Sequence, residues 1–196
     1  MEVAPDGRPL AHAATRRAWR LWLERHHATS TGAWLVMVKA ETGKPRVVYA
    51  EAVEEALCFG WIDSKHKRLD DERTILWMCP HKPASGWSKS NKERVARLES
   101  ARLMAEAGRR VVEEAKRSGA WSKLDSAEAL EVPEDLAAAF ASNGPARANY
   151  DAFPPSSRKV ILTWIASAKR PETRARRVEE TARLAAQNVR ANHRRP

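Results

Sequence analysis

Around Gly60 the apolar pattern of this chain changes period. Upstream, from about Tyr49 to Phe59, Ala52, Val53, Ala56 and Leu57 recur on one face of a 3.6-residue repeat. Downstream, Trp61 to Leu69 alternates loosely, and Thr74 to Met78 resumes after the acidic corner Asp70-Asp71-Glu72. A helix must therefore stop and hand the chain straight to a hairpin. Gly60 suits that stop, because a left-handed C′ position burdens any residue with a side chain. The stretch from Ala56 to Asn91 also holds three of the eight tryptophans and both cysteines.

The rest of the chain falls on either side of this stretch. Met1 to His12 reads as loose. Thr15 caps a helix with Trp19, Trp22 and Leu23 inward, and Ala33 to Val38 is an apolar run of strand length. Beyond Pro83 the signals turn helical. Ser90 and Glu93 fit a capping box ahead of Val95 and Leu98. A helix from about Arg109 to Arg117 stops at Ser118-Gly119. Pro133-Glu134-Asp135 opens another, with proline in its first turn and acids at the positive end of the dipole. Asn143-Gly144-Pro145 ends that one, and a short helix from Ala146 to Phe153 follows. Val160, Ile161, Trp164 and Ile165 mark the next helix, and Val178, Ala182, Ala185 and Val189 the last. The expectation is an α+β protein: a small antiparallel sheet with helices in the N-terminal half, and an all-helical C-terminal half. Three segments result: residues 1–14 as a flexible N-terminus, 15–85 as an α+β subdomain, and 86–196 as a helical subdomain with a basic C-terminal helix.

Composition excludes several classes of function. The net charge is +10, and about +8 of it lies between Arg158 and Pro196. Such a region suits solubility, an acidic partner or nucleic acid. Cys58 and Cys79 build no disulfide framework. The apolar runs Ala33–Val38 and Leu136–Ala141 fall far short of the roughly 20 residues of a membrane span, and residues 1–14 contain no apolar signal segment. A cytoplasmic protein without membrane insertion is expected. The chain has eight glycines but no phosphate-cradling loop and no nucleophile elbow, which disfavours kinases, simple nucleotide hydrolases and dinucleotide-dependent dehydrogenases.

Asp63 and His66 together suggest acid–base work, but ideal strand alternation sends them to opposite faces. Asp63 is instead expected to pair with an arginine. Cys58, His66, Cys79 and His81 have zinc-binding atoms without zinc spacing, so no metal and no cofactor is expected. Trp61, Trp77 and Trp87 among Lys65, Lys67, Arg68, Lys82 and Lys89 could stack bases, although tryptophan more often fills a core. Arg174, Arg176 and Arg177 beyond Pro171 could form a nucleic-acid-reading helix, yet Glu172, Glu179 and Glu180 interrupt the basic face.

An ordered set of motifs resembles the YdeI/OmpD-associated, or bacteriocin-protection, family. It begins at Tyr49-x-x-Ala52-Val53-x-x-Ala56-Leu57-Cys58-Phe59-Gly60-Trp61-Ile62-Asp63. Ser85-Gly86-Trp87-Ser88-Lys89-Ser90-Asn91, Met104-x-x-x-Gly108 and Ala115-Lys116 with Gly119-x-Trp121 follow. Trp164-Ile165-x-x-Ala168-Lys169-x-x-Glu172-Thr173-Arg174-x-Arg176-Arg177 closes the set, which spans about Ala14 to Val189. Two departures stand out: His81 where the family tends to carry arginine, and Ser64 where glycine is frequent. The resemblance implies a role in tolerance of bacteriocins or antimicrobial peptides and transfers no reaction. The leading expectation is a stress-protective protein that binds a protein partner or a small ligand, with no catalytic residues assigned. Its candidate ligand-binding residues are Trp61, Asp63, Ser64, Trp77, Trp87, Ser88, Asn91, Lys169, Arg174 and Arg177. A nucleic-acid-binding module and an enzyme with Asp63 in its site are the alternatives. Oligomeric state is left open.

Overall fold

Thr15 starts the first helix as its sequence suggests: its Oγ1 accepts from the Ala18 amide at 3.1 Å. In the computed structural model, which describes residues 3, 4 and 6–193, that helix is α1, Arg16–His26. Strand β2 follows at Ala33–Val38, and α2 runs Tyr49–Cys58. The hairpin is β3, Trp61–Arg68, and β4, Arg73–Pro80. Gly60 takes φ +74, and a Cβ there would sit 2.6 Å from a Val111 methyl. Both the turn and the close approach therefore require glycine.

The sheet runs in the order β1-β2-β4-β3, where β1 is Leu10–His12. β2, β4 and β3 pair antiparallel, and β1 joins β2 in parallel. Leu10–His12 thus forms an edge strand inside the segment read as a flexible N-terminus. Three residues are too few to carry a periodic signal. One sheet face turns Trp34, Val36 and Ile75 towards Ala4. Trp34 and Trp77, opposite each other in the register, meet edge to face at 5.2 Å.

The chain divides into two compact units, and the division differs from the expected break near residue 85. The first unit contains residues 1–84 and 90–118; the second contains 85–89 and 119–196. Helices α3, Lys89–Ser100, and α4, Glu106–Arg117, therefore complete the α+β unit and are not part of the helical half. The reason is a backbone contact. The Ala105 amide donates to the Cys58 carbonyl at 3.0 Å, and Gly108 has no side chain to hold α4 away from the end of α2. α3 starts at Lys89, one residue ahead of the expected Ser90 cap.

The second unit is helical among the described residues: α5 Asp125–Glu128, α6 Glu134–Ala141, α7 Ala146–Ala152, α8 Pro155–Ala166 and α9 Pro171–Ala186. Its core gathers Leu136, Phe140, Tyr150, Ile161, Ile165, Val178 and Ala182. α9 ends before Val189, which follows the left-handed Asn188 (φ 56) and lies exposed, outside the stripe expected for it. No helix among the described residues is long and apolar enough to cross a membrane.

Candidate functional site

The first unit contains a cavity of about 650 Å³. Four separate segments line it: His27 after α1, Phe59-Gly60-Trp61 at the helix-to-strand stop, Pro80 at the end of β4 with His81 and Pro83 beyond it, and the side of α4 from Ala107 to Arg117. The Gly60 turn and its contact with Val111 set β3 against α4 and shape the wall between them. Trp61 is buried, its Nε1 donating to the His27 carbonyl at 3.2 Å. The His27 and Phe59 rings lie 5.1 Å apart.

Both histidines have one ring nitrogen facing a carbonyl. His27 Nδ1 lies 2.9 Å from the Leu23 oxygen, and His81 Nδ1 lies 3.1 Å from the Lys82 oxygen. A carbonyl only accepts, so in each case Nδ1 carries the proton, and in the neutral ring Nε2 carries the lone pair. Burial holds His81 below the ordinary imidazole value, against the Lys82 carbonyl, which raises it. The other charged groups lining this cavity are Arg110, Glu113, Glu114 and Arg117.

A pH dependence follows from His81. The unfolded chain takes up its proton near pH 6.5, and the folded chain only at lower pH. Between those values unfolding binds a proton, so acid favours the unfolded state. Thermal melts from pH 7.5 to 5.0 should show the wild type losing more stability than His81→Gln. Parallel curves would mean that His81 titrates alike in both states.

The candidate residues read from sequence divide between the units. Trp61, Asp63, Ser64, Trp77 and Asn91 belong to the first, and Trp87, Ser88, Lys169, Arg174 and Arg177 to the second. Asp63 accepts from the Tyr49 hydroxyl at 2.9 Å, so its partner is a tyrosine where an arginine was expected. Ideal strand alternation also breaks down here. A bulge between Asp63 and Lys65 inserts Ser64, so Asp63 pairs with Met78 and His66 with Leu76. Met78 and Leu76 point the same way, and Asp63 and His66 therefore share a face. His66 Nε2 is engaged with Thr74 Oγ1 at 2.9 Å.

Trp87 is buried, with its ring 5.0 Å from Trp121, and Asn91 Oδ1 accepts from Arg94 at 2.9 Å. Trp77 is half-buried, with the Arg8 guanidinium 4.5 Å above it. In the second unit Arg174 grips Asp135 through two bonds of 2.7 and 3.0 Å, on a groove of about 530 Å³. Arg177 donates to the Trp164 carbonyl and, at 3.0 Å, to Ser167. Lys169 is exposed ahead of α9.

Of the cavity lining, only Trp61 was among the candidates. His27, Phe59, Arg110, Glu113 and Arg117 were missed, and His81 was noted only as a departure from the family pattern and as a zinc-type side chain without zinc spacing. Two signals were available: the charges of α4 recur at offsets of three, four and seven, and Gly60 and Gly108 both mark close backbone approach. No group of three or more His, Cys, Asp or Glu side chains suited to a metal ion occurs among the described residues.

Fold and cavity define an α+β protein with a ligand-sized chamber in its first unit. Residues 11–111, more than half of the chain, match the family model described as a domain of unknown function (DUF8412), and the chain belongs to that family. Residues 129–188 match the model described as Bacteriocin-protection, YdeI or OmpD-Associated. The model matched over residues 129–188 thus bears the description of the family that the sequence motifs resemble, and the Trp164–Arg177 motif lies within that match. The motifs at 49–63, 85–91 and 104–108 fall instead within the first match. No curated protein and no solved structure matches the chain.

Proposed function

We propose that this is a cytoplasmic stress-protective protein that acts by binding a small ligand in the cavity of its first unit, in the service of bacteriocin tolerance. The observation that carries the binding role is the cavity itself. Its volume lies within the roughly 300–1,000 Å³ of small-molecule sites, and it combines an aromatic wall with a few charged groups. A binder rather than an enzyme is favoured because the acid–base candidates Asp63 and His66 are engaged with Tyr49 and Thr74 and do not line this cavity. The tolerance role rests on the description of the model matched by residues 129–188. Two free cysteines, one buried, suit a reducing compartment.

The test is native mass spectrometry of protein purified from its host, on the wild type and on Ala107→Trp, which sets an indole on the α4 wall of the chamber. The wild type should carry a mass in excess of its polypeptide, and the variant should lose it while keeping its circular dichroism spectrum. The wild-type gene should also restore bacteriocin tolerance to a deletion strain, and the variant gene should not. Bare polypeptide from host cells, with both genes complementing equally, would overturn the reading.

A further inference from the structure

Four charged side chains of α4 line the cavity: Arg110, Glu113, Glu114 and Arg117. Their spacing sets them along one side of the helix. Glu114 and Arg117 close on each other in the acid-before-base order that suits a helix. Arg110 and Glu113 stand in the reverse order. Among the described residues neither has an ion-pair or hydrogen-bond partner, and both are exposed. Two opposite charges therefore remain open, one turn apart, beside an aromatic chamber.

We propose that the cavity takes a zwitterionic aromatic molecule of the α-amino-acid class, with its ring in the recess between His27, Phe59 and Val111, its carboxylate on Arg110 and its ammonium on Glu113. The proposal rests on the small-ligand reading above and names the ligand's chemistry. A flat ring suits this lining, where Phe59 and Trp61 stand with the imidazoles of His27 and His81 and with Val111. The guanidinium fork of Arg110 matches a carboxylate. The two open charges cancel, and that cancellation selects: an aromatic acid lacking the amine sets its charge beside Glu113, and an aromatic amine lacking the acid sets its charge beside Arg110. Each such mismatch discriminates as effectively as the favourable contacts attract.

The experiment is titration calorimetry of the full chain with tryptophan, tryptamine, indole-3-propionate and 3-methylindole. Tryptophan should bind at least about tenfold more tightly than each of the other three, the ratio expected from one charge-assisted contact. Arg110→Gln should lower tryptophan to the level of tryptamine, and Glu113→Gln to that of indole-3-propionate. Both side chains are exposed, so both variants should keep the wild-type melting temperature. If 3-methylindole binds as tightly as tryptophan, the zwitterion proposal is overturned and the small-ligand reading stands. The zwitterion proposal alone also falls if none of the four binds while host-purified protein retains a mass. If none binds and no mass is retained, both readings fall.

Discussion

Gly108→Ala should destabilise the first unit by about 2 kcal/mol. Helix propensity alone points the other way, because alanine in a helix interior is better than glycine by about 1 kcal/mol. The deciding fact is what the new methyl group would meet. A Cβ at Gly108 would lie 2.3 Å from the Cys58 carbonyl oxygen, 2.7 Å from its carbon and 2.8 Å from the Leu57 oxygen. All three are backbone atoms at the end of α2, so no side-chain rotation relieves the clash, and α4 must move away. That movement stretches the Ala105-to-Cys58 hydrogen bond and loosens the Gly60 contact with Val111. Overpacking costs about 1–3 kcal/mol and a weakened hydrogen bond about 1 kcal/mol, which together exceed the gain in propensity. Urea unfolding followed by tryptophan fluorescence measures the result. The variant should also lose ligand capture, since α4 forms one wall of the cavity. A variant more stable than the wild type would show that α2 and α4 do not pack as closely as described.

That same contact marks the limit of what could be read from the sequence. The helix stop at Gly60, the Ala33–Val38 strand and the hairpin were legible because each announces itself within a few residues through its period or its turn chemistry. The assignment of α3 and α4 was not. Their local signals, a capping box and a charged amphipathic face, say helix without saying what the helix packs against. The partner is decided by Gly108 meeting Cys58, far away in sequence. Asp63 and His66 were misplaced relative to each other for a related reason. One inserted residue, Ser64, reverses the alternation, and nothing in the composition of Asp63-Ser64-Lys65 announces a bulge. The cavity was harder still. Its walls come from positions 27, 59–61, 80–83 and 107–117, and each of these looks ordinary alone. Only folding brings His27 beside Phe59, or places His81 where burial disfavours its charged form.

Glu55→Ala should cost about 3 kcal/mol, and Glu54→Gln, one residue away, less than about 1 kcal/mol. The difference lies in burial and in the number of bonds made. The Glu55 side chain is 4% exposed, and both of its oxygens are used: Oε1 accepts from Arg16 Nε at 2.6 Å and Oε2 from Arg20 at 2.8 Å. Glu54 is 20% exposed and meets Arg16 at 3.1 Å and Arg97 at 3.4 Å. Arg20 also donates to the Leu103 carbonyl at 3.0 Å, so Glu55 holds a guanidinium that ties α1 and α2 to the turn before α4. Removing one partner of a fully buried pair costs about 3–5 kcal/mol, mostly from the charge left behind. Here the arginine side chains are 36% and 30% exposed and can regain water, which places the cost at the lower end of that range. Glu55→Gln should be nearly as harmful as Glu55→Ala, because the amide sets an N–H against one of the two guanidinium donors. The losses at Glu55 should also change little with salt, whereas the smaller loss at Glu54, whose pair with the exposed Arg97 is open to screening, should shrink. Urea unfolding of the three variants at 0.05 and 0.5 M sodium chloride checks all of this. Equal losses for the Glu54 and Glu55 variants would mean that Glu55 is hydrated and the network superficial.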